Sequence, residues 1–325
     1  MSLSSQGPSD RPNRHATFGL PNYDSRSRDW LISCGCSLVN PMMEVRRRPQ
    51  RLSVALPSSF TKDVPHLREK TSRVGLIARS LAIFRVDEVL VYDDRTGSGS
   101  AREANLVEKL LAYQETPQYL RKTLFKQDPD LQFSGILPPL RIPSHPNIGE
   151  PRKGEIREAL VLESGARSIV NAGFRAMVEV SSRLKLLERV TIELVQTSPQ
   201  LKGELVEPTR LPIYWGFRVT RTNLTLGRLI RSRSQDLTIS TSRRGKGVRE
   251  VLSELTLRWK SSQRPLVIFG SPSEGVPEIL AKEGTDLTKI ADFNLNMIPS
   301  QGVETVRTEE AILATMSILN LLEER

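Results

Sequence analysis

Cysteine and histidine are scarce in this chain of 325 residues, which has two cysteines and three histidines. The cysteines, Cys34 and Cys36, lie near the amino terminus, whereas the histidines are scattered. A four-ligand zinc site needs several such side chains at defined spacings, so the sequence predicts no metal site. So few cysteines fit a reducing compartment, and we expect an intracellular protein, cytoplasmic or, in a eukaryote, nuclear or nucleolar.

Long apolar runs are also missing, since no segment approaches the roughly twenty residues that a transmembrane helix needs. Basic residues outnumber acidic ones: the chain has 47 lysines and arginines and 37 aspartates and glutamates, which gives a net charge of +10. A basic surface favours polyanions, since each neutralised phosphate releases condensed counterions. We therefore predict a nucleic-acid partner and no membrane association. A basic protein without such a partner is the alternative.

The first fifty residues differ in composition from the rest of the chain. Residues 1–50 are rich in Ser, Arg, Pro and Asn and show no sustained apolar period, which is typical of a disordered tail. The apolar patch Trp30–Val39 is the exception and could dock weakly. The Arg- and Ser-rich start could also be a transit peptide, or translation could begin at Met42 or Met43.

Strand and helix patterns alternate in residues 51–140. A strand at Leu52–Leu56 precedes a helix with an apolar face, and a strand at Val89–Tyr92 precedes a helix at Ala101–Gln114. The residues of the first apolar face are Val74, Ile77, Ala78 and Leu81. This order predicts a mostly parallel sheet covered on both faces.

A different pattern occupies residues 141–213. A proline-rich connector, Leu137–Pro151, is followed by short strand patterns separated by Gly-containing turns, which is typical of a small β-barrel. The predicted strands are Ile156–Leu162, Ser168–Ala172, Arg175–Val180 and Val190–Val195. We predict an inserted oligonucleotide-binding (OB-like) barrel, and a small sandwich is the alternative.

The strand–helix pattern resumes in residues 214–325. We predict strands at Tyr214–Val219, Leu237–Ser240 and Leu266–Phe269 and a helix at Lys246–Trp259. The fold class is therefore α/β, with one mostly parallel sheet domain (51–140 and 214–325) interrupted by the barrel.

The segment Asn296–Ala311 combines a tight turn with a helix start. Pro299 and Gly302 bracket a bend, and Gly302 allows a ligand to approach the main chain. Thr308 is the predicted N-cap, followed by Glu309 and Glu310 where the helix dipole favours negative charge. The apolar positions Ile312, Met316 and Leu319 predict a helix with one buried face. The segment predicts a ligand loop, although an ordinary loop before a core helix has the same composition.

Three stretches resemble the motifs of the SPOUT superfamily of trefoil-knotted methyltransferases, in particular its archaeal and eukaryotic branch of RNA uridine-N3 methyltransferases. They are Val74–Ser80, Pro265–Val276 and Asn296–Ala311, and the likeness spans about Leu52 to Leu322. In this branch the string Ile-Pro, Gln-Gly, Thr-Val-Arg-Thr-Glu-Glu-Ala is specific. The resemblance implies a deep trefoil knot, a homodimer and S-adenosyl-L-methionine as cofactor.

The resemblance also implies roles for individual residues. The cofactor would contact a set that comprises Phe269, Gly270, Ile298, Gln301, Gly302, Thr305, Arg307 and Thr308. Arg79 would be catalytic, because a guanidinium stabilises the negative charge that spreads over a uridine when N3 loses its proton. Without the resemblance, Arg79 is an ordinary surface arginine. Glu309, Glu310 or water would accept the proton, unless both glutamates merely start the helix.

Clusters of basic residues are the candidate RNA contacts. The first set, beside the strand that begins at Leu237, is Arg243, Arg244, Lys246 and Arg249. Further candidates are Arg228, Arg231 and Arg233, and on the barrel Arg157, Arg167 and Arg175. Two alternatives stay open: an RNA-binding ribosome-assembly factor without catalysis, and a methyltransferase that acts on transfer RNA or a ribose hydroxyl.

Overall fold

A six-stranded parallel sheet and a closed five-stranded barrel organise the computed structural model, which describes residues 45–94, 100–147 and 149–323. The described strands are β1 (Ser53–Pro57), β2 (Glu88–Asp93), β3 (Ile156–Glu163), β4 (Ser168–Asn171), β5 (Val178–Val180), β6 (Arg189–Gln196), β7 (Lys202–Leu205), β8 (Arg218–Thr225), β9 (Leu237–Gly247), β10 (Pro265–Ile268) and β11 (Phe293–Asn296). The described helices are α1 (Leu67–Ile83), α2 (Ser100–Glu115), α3 (Gln118–Phe125), α4 (Leu226–Arg231), α5 (Leu252–Ser261), α6 (Val276–Lys282) and α7 (Thr308–Leu321).

The sheet has the strand order β11-β9-β10-β1-β2-β8, and all of these neighbours run parallel. Its strands are apolar on both faces, since Val54 and Leu56 belong to the larger core whereas Ala55, between them, belongs to the smaller one. The larger core is packed by α1, α2, α5 and α7, and the smaller by α4 and α6. The predicted parallel sheet with helices on both faces is confirmed.

The barrel closes in the order β3-β4-β5-β7-β6 and has a core of its own. The β5–β7 pair is parallel, and the other pairs are antiparallel. A barrel is therefore present, as predicted, and not the alternative sandwich. Strand β7 was not predicted, because its sequence Lys-Gly-Glu-Leu has no apolar alternation. A Cβ at Gly203 would lie only 3.1 Å from Ile192 Cδ1 and 3.2 Å from Val178 Cγ1, so glycine suits this crowded position.

Some predicted boundaries are wrong. The strand expected at Tyr214–Val219 begins at Arg218, since Tyr214 and Phe217 are buried in the core instead of pairing in the sheet. The barrel strand expected from Arg175 begins at Val178. The helix expected from Lys246 begins at Leu252, because β9 continues to Gly247 and pairs there with β11.

Residues 45–50, which we assigned to the tail, pack against the sheet domain. Arg48 is 3% exposed, donates to the Phe84 carbonyl and pairs with Glu323 beyond α7. Residues 1–44, with Cys34, Cys36 and the apolar patch Trp30–Val39, lie outside the described residues. The domain boundaries and the trefoil knot remain predictions. Among the described residues, none of the helices has the length and apolarity needed to cross a bilayer.

Candidate cofactor and RNA site

Three segments converge at the carboxyl edge of the sheet: the loop after β10 (269–275), the loop after β11 (297–307) and a bulge within β9. Strand β9 lies between β10 and β11. Its register jumps from Ser240 opposite Asn294 to Lys246 opposite Leu295, so residues 241–245 leave the ladder as a five-residue excursion. The carboxyl edge is where open parallel sheets bind their ligands.

The excursion connects the two loops. Thr241 donates to the Ile268 carbonyl at 2.9 Å, at the end of β10. Arg243 donates to the Glu304 carbonyl at 2.6 Å, and its own carbonyl accepts from the Asn296 amide at 2.9 Å. Arg243, one of the predicted RNA residues, therefore lies directly against the loop predicted to bind cofactor.

The loop after β10 has near its start a glycine, Gly270, whose surroundings leave no room for a side chain. A Cβ at Gly270 would lie 2.7 Å from the Glu274 carbonyl oxygen, so no side chain fits there. Ser271 and Glu274 close the following turn, with Ser271 N–H donating to the Glu274 carbonyl at 2.8 Å. Phe269 uses both backbone groups internally, since its N–H donates to Ala55 and its carbonyl accepts from the Tyr92 hydroxyl. Both backbone groups of Phe269 are thus occupied within the protein, and contacts of Phe269 and Gly270 with a cofactor remain predictions.

The loop after β11 is shaped by its own side chains. Ile298 N–H donates to the Asn296 side chain at 3.0 Å, and Ile298 is half-buried against the larger core. Gln301 donates to the carbonyls of Val303 and Glu304. A Cβ at Gly302 would have no atom within 4 Å, so this glycine borders open space. Gly302 is exposed, and a ligand contact there remains a prediction.

The start of α7 differs from the prediction in its cap. Arg307 is the N-cap, its N–H donates to Glu310 at 2.9 Å, and Thr308 is the first helical residue and buried. The N-cap assignment of Thr308 is therefore wrong, because the extended φ/ψ that a cap requires falls one residue earlier. Thr305 and Arg307 are exposed, whereas Ile312, Met316 and Leu319 are buried as predicted.

Arg79 has its hydrogen bonds to described residues in the connector before the barrel and not in these loops. It is half-buried, and its Nη1 donates to the carbonyls of Pro139 and Leu140 at 2.9 and 2.7 Å in the connector before the barrel. The structure therefore gives Arg79 two carbonyl acceptors within the chain.

Another arginine of α1 contacts the third motif. Arg73 is 8% exposed, donates to Asp63 at 2.5 Å and lies 3.3 Å from the Glu309 carboxylate at the start of α7. The second oxygen of Glu309 is buried without a hydrogen-bond partner among the described residues. Sequence reasoning missed Arg73, although its place beside buried Val74 in an apolar stretch was the available signal.

The other basic candidates are spread over several surfaces. Arg244, Lys246 and Arg249 are exposed, and Arg244 pairs with Glu278 on α6 at 3.2 Å. Arg157 is 2% exposed, pairs with Glu155 and stacks on Phe174. It cannot contact RNA, so that prediction is wrong; the guanidinium is part of the barrel interior. The remaining positions are exposed, except half-buried Arg233: Arg167, Arg175, Arg228 and Arg231.

Comparison with known proteins identifies the family. A family model described as "Putative RNA methyltransferase" matches residues 51–319. An uncharacterized protein of Haloarcula marismortui is 34% identical, with 83% of this chain and 99% of that protein aligned. The 28S rRNA (uridine-N(3))-methyltransferases of Homo sapiens and Mus musculus are 33% and 34% identical, covering 85% and 84% of this chain and 79% and 76% of theirs. This chain belongs to that RNA methyltransferase family.

The match to the RNA methyltransferase family spans the loops at the carboxyl edge and the barrel, as the resemblance in the sequence predicted. The same edge of this methyltransferase carries a buried carboxylate between β1 and β2. Asp94 is 3% exposed and accepts hydrogen bonds from the hydroxyls of Ser58 and Ser59. Among residues 45–94, 100–147 and 149–323, no group of His, Cys, Asp or Glu is arranged to hold a metal ion.

Proposed function

We propose that this RNA methyltransferase transfers a methyl group from S-adenosyl-L-methionine to N3 of a uridine in large-subunit ribosomal RNA. Two relatives named for uridine-N3 methylation of 28S rRNA support the target. The observation that carries the proposal is the hydrogen-bonded connection of the basic β9 excursion to the loop around Gly302. This connection supports the proposal because Arg243, a candidate RNA contact, is hydrogen-bonded to the loop that contains Gly302.

The residues around the two loops fit the proposed donor. S-adenosyl-L-methionine would supply an electrophilic methyl group. The open space at Gly302 would admit the adenosine part, half-buried Ile298 would give an apolar wall, and the enclosed Gly270 would fix the loop after β10 that borders the site. Gln301, Thr305, Arg307 and Thr308 complete the proposed set, with Gln301 holding the loop in shape. Phe269 contributes by fixing the end of β10.

The uridine proton at N3 needs an acceptor. Glu310 already accepts the Arg307 N–H as a helix cap, which favours a structural role. One oxygen of Glu309 has no hydrogen-bond partner among the described residues, and Arg73 keeps this side chain in place. Glu309 is therefore the better candidate of the two, with water as the alternative. Because N3 lies on the pairing edge, the target uridine must be unpaired or flipped out.

In the proposed homodimer, Arg79 of one chain stabilises the deprotonated uridine bound by the other chain. Only Nη1 of its guanidinium donates to described residues, and these acceptors are connector carbonyls. The other N–H donors of the guanidinium can therefore stabilise the negative charge that develops on a uridine bound by a second copy of the chain. Arg243, Arg244, Lys246 and Arg249 would hold the neighbouring phosphates.

Nucleoside mass spectrometry of large-subunit rRNA tests this proposal. Cells lacking the gene should lose 3-methyluridine at one position, and wild-type protein should restore it. The Gly302→Val protein should not restore it, because a branched side chain fills the space proposed for the donor. Unchanged 3-methyluridine in the deletion strain would refute the enzymatic target and would support a ribosome-assembly factor.

A further inference from the structure

A second basic surface lies at the opposite edge of the sheet from the cofactor loops. A cleft of about 1310 Å³ separates the barrel from the amino-terminal ends of the sheet strands. Ser53, Glu88, Arg218 and Leu266, at or near the starts of β1, β2, β8 and β10, line one wall. The other wall is formed by β6, β7 and the segment 205–217. None of the cofactor-loop residues proposed above lines this cleft.

Arginine dominates the lining of the cleft. The described lining contains seven arginines: Arg47, Arg51, Arg189, Arg210, Arg218, Arg233 and Arg264. Three are held by carboxylates of the same cleft, since Arg47 pairs with Asp87, Arg233 with Glu88, and Arg189 with both Glu115 and Glu158. Four of the five acidic residues of the described lining are therefore already paired with an arginine. The remaining acid is exposed Glu207.

The other four arginines carry the excess charge. Arg51, Arg210, Arg218 and Arg264 are exposed, and none forms an ion pair with a described carboxylate. An exposed guanidinium offers a planar fork of donors that matches a phosphate. Four such groups around one cleft attract a polyanion, and their field is concentrated by the walls.

The size and lining of the cleft indicate its occupant. Its volume exceeds the range of about 300–1,000 Å³ that is usual for small-molecule pockets, so an extended ligand fits better than a metabolite. Its aromatic residues, Trp215 and Phe217, are buried, at 8% and 3% exposure. Because the described lining has no exposed aromatic side chain on which a base could stack, recognition there would go through phosphates and not through bases.

We propose that this cleft binds a single-stranded segment of the RNA substrate by its phosphates, apart from the nucleotide that is methylated. The inference rests on the proposed function in one respect, that RNA is the substrate. Five residues of β1 separate the two edges by about 16 Å at 3.3 Å per residue. One RNA chain could therefore be held at the cleft while its target loop reaches the cofactor edge.

The test uses two cleft arginines and a matched pair of cations elsewhere. Arg51→Ala/Arg218→Ala removes two exposed side chains without ion pairs, so the fold should be kept. Lys122→Ala/Lys260→Ala is the control, since both lysines are exposed, on α3 and α5, and neither lines the cleft. Both variants lose the same formal charge. Fluorescence anisotropy would follow binding of a labelled uridine oligonucleotide of about 12 residues, within the ~4–16 nucleotides that such barrels cover.

The expected result is a specific loss of phosphate contacts. The cleft variant should bind about tenfold more weakly at low salt, and the slope of log K against log salt should fall by about 1.4, since each single-strand contact contributes roughly 0.7. The lysine control should keep the wild-type affinity and slope. Equal slopes in all three proteins, or an equal fall in both variants, would overturn the cleft proposal.

Calorimetry with S-adenosyl-L-methionine on the same preparations separates this inference from the proposed function. Cofactor binding should be the same in all three proteins, because the cleft is remote from the loops. If the wild-type protein binds cofactor while the RNA slopes are equal, the cleft proposal alone fails. If it binds RNA with the predicted slopes but no cofactor, the proposed function fails and the cleft stands.

Discussion

At the scale of single residues, two glycines of the site have opposite surroundings. Gly270 is enclosed by backbone, with the Glu274 carbonyl 2.7 Å and the Gly275 Cα 2.9 Å from where a Cβ would be. Gly302 has no neighbouring atom within 4 Å of that position. Gly270 is therefore required by the fold, whereas Gly302 is required only if a ligand approaches it.

These surroundings predict different effects of one added methyl group. Gly270→Ala should lower the free energy of unfolding by about 1–3 kcal/mol, because backbone cannot move aside as a flexible side chain can. Gly302→Ala is the control and should stay within about 0.5 kcal/mol of wild type. Urea denaturation followed by circular dichroism measures both. Equal stabilities would mean that the loop after β10 relaxes freely and is not the rigid wall described.

Arg73 and Glu309 form a largely buried pair between α1 and α7, with side-chain exposures of 9% and 12%. Removing one partner of such a pair leaves an uncompensated charge. Arg73→Met should therefore cost about 3 kcal/mol, and the double change Arg73→Met/Glu309→Gln should cost clearly less than the sum of the single changes.

The exposed pair Arg244–Glu278, at 78% and 42% exposure, is the control for this double-mutant cycle. Its coupling should stay below about 1 kcal/mol, since solvent screens exposed charges. Additive single effects at Arg73 and Glu309 would contradict the idea that α1 and α7 are joined through this pair.

At the scale of elements, β9 shows what the sequence could predict and what it could not. The apolar start Leu237–Ser240 was predicted as a strand and is one. Its extension to Gly247 was not, because Ser-Arg-Arg-Gly-Lys has no strand pattern, and β9 pairs with β11 again only at Lys246 and Gly247, after the excursion. The helix after it was placed six residues too early for the same reason.

Gly245 allows β9 and β11 to approach each other. A Cβ at this position would lie 2.6 Å from the Asn294 carbonyl oxygen and 2.7 Å from the Leu295 carbonyl carbon. Gly245→Ala should therefore shift the excursion, cost about 1–3 kcal/mol and weaken RNA binding with it. Gly135→Ala, with open space around the added Cβ, is the control. Wild-type stability and RNA affinity in Gly245→Ala would contradict this role of the excursion.

The candidate site was only partly readable from the sequence. The loop glycines and the basic cluster could be predicted because their chemistry is local. Arg73 and Asp94 could not, since their partners lie 236 positions away at Glu309 and about 36 positions away at Ser58. The burial of Arg157 could not be predicted either, because it depends on the stacking of its guanidinium on Phe174, a contact between residues distant in sequence.

At the scale of the whole molecule, a buried polar network joins the barrel to the sheet domain. Arg189 of β6 donates to Glu115 at the end of α2 and to Glu158 of β3, each at 2.6 Å. Glu158 also accepts from Trp215 at 2.5 Å, and the Glu115 carbonyl contacts His145 at 2.6 Å. One guanidinium thus serves two buried carboxylates.

This network shifts two pKa values in opposite directions. Burial, opposed by Arg189 and assisted by Glu158, raises the pKa of Glu115 to about 7. Burial lowers the pKa of His145 to about 4, although its hydrogen bond to the Glu115 carbonyl opposes this. As pH rises from about 4.5 to 7, the Glu115 contribution to stability is lost, whereas the His145 contribution is gained between about 4 and 6.5.

The two contributions should nearly cancel in the wild-type protein between about pH 4.5 and 6.5, and single variants should separate them. Relative to wild type, Glu115→Gln should become more stable as pH rises, and His145→Gln should become less stable. Each difference should reach about 2–3 kcal/mol at 1.36 kcal/mol per pKa unit. Urea denaturation at pH 4.5, 5.5 and 6.5 measures them, with Gly135→Ala as a control that should show no trend. If the unfolding free energy changed with pH in the same way in all four proteins, the shifted pKa values of Glu115 and His145 would be contradicted.

The most direct test of the account is titration calorimetry of S-adenosyl-L-methionine into the wild-type, Gly302→Val and Arg79→Ala proteins. The account predicts one cofactor per wild-type chain, an affinity at least about tenfold lower in Gly302→Val, and an unchanged affinity in Arg79→Ala, whose hydrogen bonds to described residues go to the connector carbonyls of Pro139 and Leu140. Absence of binding to the wild-type protein, or equal affinities of wild type and Gly302→Val, would contradict a cofactor site at the carboxyl edge of the sheet.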